Sequence, residues 1–247
     1  MNRLPGTPRY RPCAGYTAVE LAVALAVVGV LLWTVGSSYV NVDTTRERQT
    51  AVVRGEHVRD AIRAFALANA RLPCPDAAGD GWEDTAGGDC PAELDTGFVP
   101  YRSLGLTLPD DAWHAQYGVY RRPASNRRDD ADLAVVAERG GSGVSRLLHG
   151  LDNAAGDGLD AGRIHLTGDG GPAGAIDCGG NRRRHVAYFL VIPLRDRDGD
   201  GSRFDSVNAP SAPARCAYAP GTGRAHDRDD VVIAEGFTAL AGWLGGR

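Results

Sequence analysis

Residues 13–33 read CAGYTAVELAVALAVVGVLLW, and the fold turns on how the one acid in this stretch is understood. From Gly15 to Val42 the only charged side chain is Glu20. As a helix, Tyr16–Tyr39 would be roughly 36 Å long, which is enough to cross a hydrocarbon core of about 30 Å. Arg3, Arg9 and Arg11 precede it with no acid among them. Such a charge bias keeps an N-terminus in the cytoplasm and sends the remainder outward. A carboxylate inside such a segment costs about 3 kcal/mol or more unless it finds a partner.

Two plain readings leave that cost unanswered. A cleaved secretory peptide needs a small-residue site, and Val35-Gly36-Ser37 is a poor one after an overlong apolar run. A simple signal anchor gives Glu20 no task. A cut between Gly15 and Tyr16, by contrast, places a new α-amino group one helical turn from Glu20. In a helical array of subunits, the amine of one chain would neutralise the Glu20 of its neighbour. The carboxylate also suits the positive end of the helix dipole.

Gly15-Tyr16-Thr17-Ala18-Val19-Glu20-Leu21 resembles the prepilin cleavage and methylation motif of type IV pilins and type II secretion pseudopilins. The resemblance implies cleavage after Gly15, N-methylation of Tyr16 and an assembly role for Glu20. Tyr16 departs from the usual first mature residue, Phe, but keeps an aromatic ring. It also implies an α+β, pilin-like fold: a long N-terminal helix, transmembrane in its first half, packed on an antiparallel β-sheet head with long loops. The expected divisions are a leader (1–15), the long helix (16–72, with about 16–39 in the membrane) and a periplasmic β-rich head (73–247).

The residues beyond the apolar run agree with that plan. No proline occurs between Tyr16 and Leu72, and Val58, Ala61, Ile62, Phe65 and Ala68 recur at helical steps as one apolar stripe facing a sheet. Pro73 stops the helix, and Gly36 and Gly55 are its soft points. Tyr117–Arg121, Leu133–Ala137, Val186–Leu194 and Val231–Glu235 have strand character. Residues 140–181 read as a Gly-rich excursion between strands. The segment CPDAAGDG…C, followed by PYRSLGL, looks like a group of minor-pilin-like proteins.

Cysteines stand at 13, 74, 90, 178 and 216. Leader cleavage removes Cys13 and leaves four, which allow three pairings; Cys74–Cys90 with Cys178–Cys216 is the most local. Their spacing does not suit zinc, and a periplasmic address permits oxidation.

Asp196-Arg197-Asp198-Gly199-Asp200-Gly201 matches the first six positions of a calcium loop, D-x-D-x-D-G, in which alternate carboxylates converge on a hard cation. Position twelve is Val207 instead of Glu, so Asp205 would supply the replacement ligand beside Asp196, Asp198 and Asp200. An ordinary acidic turn competes with this Ca²⁺ reading. Asp76–Asp84 and Asp152–Asp160 read as Asp/Gly turns.

All 27 basic residues are arginine, which excludes a Walker A lysine, a Schiff-base lysine and a lysine base. The clusters Arg121-Arg122, Arg127-Arg128 and Arg182–Arg184 read as solvated charge, because acids adjoin the middle cluster and no aromatic residues interleave for base stacking. A nucleic-acid partner is therefore not expected. Nor is an enzyme: the six histidines lack H-E-x-x-H spacing, and no serine sits in G-x-S-x-G.

The expected function is a structural subunit, a minor pilin or pseudopilin of a type IV pilus or type II secretion pseudopilus. Its partners would be other pilins or pseudopilins, the prepilin peptidase and the inner-membrane assembly platform. It would start as a single-pass inner-membrane protein with a periplasmic head and end in the fibre. The alternative is a membrane-tethered periplasmic calcium- or ligand-binding module that does not polymerise.

Overall fold

The computed structural model describes residues 17–246 apart from 88, 111–112, 125–129, 136–142, 169–174, 210–214, 221, 223–224 and 226, and only the backbone over 34–43. Cys13, Gly15 and Tyr16 lie outside the described residues. The chain divides into two compact units, Met1–Arg46 and Glu47–Arg247.

Helix α1, Ala18–Asn69, begins in the first unit and ends in the second. Its start is capped by its own sequence. The Glu20 carboxylate accepts the Thr17 N–H at 2.8 Å and the Thr17 hydroxyl at 3.0 Å, while Thr17 Oγ1 accepts the Glu20 N–H at 3.3 Å. This reciprocal capping box satisfies backbone donors that the first turn leaves open. Glu20 therefore has a local partner within its own chain.

The expectation of a transmembrane first half is corrected here: among the described residues, no helix is long and apolar enough to cross a membrane.

The second unit holds a four-stranded sheet in the order β1-β2-β5-β7. Its strands are β1 (Thr96–Phe98), β2 (Gln116–Val119), β5 (Tyr188–Ile192) and β7 (Val231–Glu235), and every pairing is antiparallel. A second sheet has the order β4-β3-β6, from β3 (His165–Thr167), β4 (Arg182–His185) and β6 (Cys216–Tyr218). In it β3 pairs antiparallel with β4 but parallel with β6. The single antiparallel sheet expected from sequence is thus replaced by two sheets, one of them mixed. Helices α2 (Gly143–Gly156) and α3 (Phe237–Gly245) pack on each other.

The last turns of α1 lie on the four-stranded sheet. Their buried stripe is Ala51, Gly55, Val58, Ile62 and Ala66. Ala61 and Phe65 lie at its margin, and Ala68 is exposed, so the expected stripe is right at Val58 and Ile62 and turned slightly away elsewhere. Gly55 is a contact point. A Cβ there would meet Ile233 Cδ1 and come within 2.8 Å of Ile192 Cδ1, so a larger residue would have to displace the ends of these two side chains on β5 and β7. Nearby, Arg63 pairs with the buried Glu235 of β7 at 2.8 Å. The helix ends at Asn69, with Ala70 in the left-handed region (φ 55°) ahead of Pro73.

Leu133–Val135 of the expected strand 133–137 forms bends, with the Leu133 N–H on the Tyr120 carbonyl at 3.2 Å, and 136–137 lie outside the described residues. The supposed excursion 140–181 contains α2 and β3. Cys178 and Cys216 form a disulfide, fastening the approach to β4 onto β6. Closing a loop of 38 residues contributes about 4 kcal/mol on the chain-entropy model.

Candidate functional site

The candidate site grows from the pairing of β5 with β7. Ile192 is opposite Val231, so the chain leaving β5 and the chain entering β7 emerge at the same end of the sheet. The first carries the loop from Asp196 to Asp205; the second carries Asp229-Asp230.

In the loop, the Asp196 carboxylate accepts the Gly199 N–H at 2.7 Å and the Gly201 N–H at 3.0 Å. Both glycines have left-handed φ, 77° and 88°, which a Cβ would disfavour. Asp198 Oδ2 accepts the Ser206 N–H at 2.9 Å, a bond that leads in holding its carboxyl below the usual range. Ser206 itself has φ 58°, unusual for a residue with a side chain.

One oxygen each of Asp196, Asp198 and Asp205 lie within 4.8 Å of one another. Three of the four carboxylates expected from sequence are therefore brought together. Asp200 is not in this group; it accepts the Ser202 N–H at 2.7 Å instead.

Asp205 belongs also to a second group, with Asp229 and Asp230, again within 4.8 Å, and all three are buried. Asp205 accepts the Arg197 N–H at 2.8 Å and the Asp229 N–H at 2.7 Å. Asp229 pairs with the Arg197 guanidinium at 2.7 Å. Asp230 Oδ2 accepts the Asp205 N–H and the Asn208 amide, both at 3.0 Å. Its other oxygen, Oδ1, is buried without a hydrogen-bond partner among the described residues, and so is Asn208 Oδ1. A buried unsatisfied acceptor costs about 1–3 kcal/mol. Burial pushes the Asp230 carboxyl up to about 8 and also raises Asp205.

Sequence reasoning missed Asp229, Asp230 and Asn208. A signal was present: two adjacent acids immediately before an apolar strand are out of place unless something meets them.

The other expected residues are placed as follows. Cys178–Cys216 is bonded, whereas Cys74 and Cys90 are buried thiols. Those two side chains are in contact, and the hydrogen bond the Cys74 thiol shares with Cys90, followed by burial, pushes that thiol well up. Arg121 is not solvated: it is buried on Asp132 at 2.8 Å. Arg183 and Arg184 of β4 are exposed, and Arg127 and Arg128 lie outside the described residues. Asp76 and Asp84 both cap backbone N–H groups of their own turn, as expected of an Asp/Gly turn.

No family model, no curated protein and no solved structure matches this chain.

Proposed function

We propose that this chain is a structural subunit of a filament, a minor pilin or pseudopilin of a type IV pilus or type II secretion pseudopilus, assembled through the start of α1. One observation carries the reading. From Ala18 to Trp33 every residue is exposed, including Val19, Leu21, Val23, Leu25, Val27, Val28, Val30, Leu31, Leu32 and Trp33. A continuous apolar surface of that extent demands cover, and a bundle of the same helix from other copies supplies it. The resemblance of Gly15–Leu21 to a prepilin site supports cleavage after Gly15 by a prepilin peptidase, methylation of Tyr16, and delivery by an inner-membrane assembly platform. On this reading the head faces the periplasm before the subunit enters the fibre.

A second reading, a calcium-binding module that does not polymerise, is favoured by the carboxylates at the end of β5 and β7. The capping box makes the two separable. Glu20→Gln retains a capping side chain but removes the charge that would meet a neighbour's amine. Filament-fraction immunoblots should show Glu20→Gln excluded from sheared fibres while its level in the cell stays unchanged. Recovery equal to that of the unaltered chain would remove the carboxylate from assembly. Absence of both from a fibre that is being made would leave the module reading.

A further inference from the structure

We propose that the second unit binds one hard divalent cation, calcium by the chemistry of its donors, between Asp205, Asp229 and Asp230, with the Asn208 amide oxygen as a further ligand. The site lies behind the D-x-D-x-D-G loop and not on its exposed acids.

Two independent features converge here. The first is the group itself: three buried carboxylates, from two points in the chain, with oxygens within 4.8 Å of one another. Oxygens on opposite sides of a calcium ion bonded at 2.3–2.6 Å lie about 5 Å apart, so this spacing accommodates the ion. The second is the pair of orphaned acceptors. Asp230 Oδ1 and Asn208 Oδ1 are fully buried and unpartnered, although Asp230 Oδ2 and the Asn208 amide nitrogen bond each other at 3.0 Å. Two buried acceptors lacking donors, on side chains that bond each other through their other ends, want a positive centre.

A water could donate to both acceptors, but it would leave the charge of the cluster where it was. Arg197 meets Asp229, whereas Asp205 and Asp230 are met by neutral donors: the N–H groups of Arg197, Asp229 and Asp205, and the Asn208 amide. A cation supplies the missing charge. The donors are all oxygen, which suits a hard ion and not zinc. Magnesium demands a regular octahedron at 2.0–2.1 Å and keeps several waters, which suits a group of buried side chains less well than it suits an open one. Asp205 also groups with Asp196 and Asp198, so an ion held from below would fix the base of the exposed loop.

This inference does not depend on polymerisation, and its test uses no fibre. The full chain in detergent, stripped with chelator and desalted, is titrated with CaCl₂ by calorimetry. One ion should bind with a dissociation constant below about 1 mM, the weak limit of calcium modules outside the cell. Asp230→Asn should weaken binding about tenfold or more, because ligand charge sets affinity. Asp196→Asn with Asp198→Asn should leave it within about threefold, since neither residue belongs to the buried group.

The reverse ranking would move the site to the exposed loop and overturn the proposal, as would absence of saturable uptake. Competition by magnesium at equal concentration would overturn the choice of calcium. Asp230→Asn exchanges the buried carboxyl for a neutral isostere, so its melting temperature in chelator at neutral pH should stay close to that of the unaltered chain. If it does not fold, Asn208→Ala keeps all three carboxylates and should weaken calcium binding several-fold. Unaltered affinity in that variant would remove Asn208 as a ligand.

Discussion

Two loops of this protein are built on one pattern and differ in what stands behind them. Asp76-Ala-Ala-Gly79-Asp-Gly81 and Asp196-Arg-Asp-Gly199-Asp-Gly201 share the spacing D-x-x-G-D-G. In both, the leading carboxylate accepts the N–H groups of the two glycines. The glycine φ angles are 76° and 88° in the first loop and 77° and 88° in the second. In both, a later Asp caps the N–H following the leading Asp: Asp84 on Ala77, Asp205 on Arg197.

The surroundings then diverge. Asp76 is fully buried and its backbone bonds Phe98 of β1 in both directions, at 2.9 and 2.7 Å. Asp196 is exposed, and the buried acid of its loop is Asp205, set against Asp229 and Asp230. The repeated pattern therefore encodes a turn. A ligand site needs the further acids that β7 brings to one of the two turns.

The largest effect that would break this comparison is on stability. Asp76→Ala removes a buried carboxylate from two N–H groups at 2.6 Å each and should cost about 2–4 kcal/mol. Asp196→Ala, at an exposed position, should cost less than about 1 kcal/mol in metal-free protein. Urea unfolding in chelator measures both, and equal losses would mean that burial does not distinguish the loops.

A smaller effect sharpens the likeness. Gly79→Ala and Gly199→Ala each force an L-residue into left-handed backbone and should each cost about 1–2 kcal/mol. Neither new methyl group meets an atom closer than 3.7 Å, so the two costs should agree within about 0.5 kcal/mol. A larger gap would show that packing, not backbone, dominates one turn.

The smallest effect is on pH dependence. Asp230, with a folded value of about 8, is faced by Asp205, Asp229, Asn208 and Tyr218. It holds its proton more tightly folded than unfolded, where an Asp titrates near about 3.9. Its contribution is fully present below that value and is lost as pH rises toward 8. In chelator, unfolding midpoints should fall across this window, and Asp230→Asn should flatten the fall. An unchanged slope would show that Asp230 is not the group responsible.

Much of this arrangement is legible in the chain. Strand β7 falls on Val231–Glu235 as read, β5 lies within its expected run, and β2 overlaps its own but starts one residue earlier, at Gln116, because β-branched and aromatic content is a local signal. Asp196, Asp198 and Asp205 are also legible, since one short loop carries them. Asp229 and Asp230 are not, because only the β5–β7 register sets them beside residues more than twenty positions earlier. Helix α2 was hidden by glycines on both sides, although Val144, Leu147, Leu151 and Ala154 carry a helical period. Gly55, read as a soft point of α1, instead belongs to its buried stripe and faces Ile192 and Ile233 of the sheet.

The disulfide has a consequence for the route by which the head is made. Its mixed sheet requires β6 to lie parallel to β3, with His165 opposite Cys216, residues 51 positions apart along the chain. Pairings this distant are slow to find, because a long loop must close before any ladder bond rewards it. Once Cys178 is joined to Cys216, the covalent path between the same two positions drops to 13 residues and the cross-link. Oxidised chain should therefore refold faster than chain in which this bond has been reduced, so thiol oxidation before folding would set the pace at which the folded second unit becomes available.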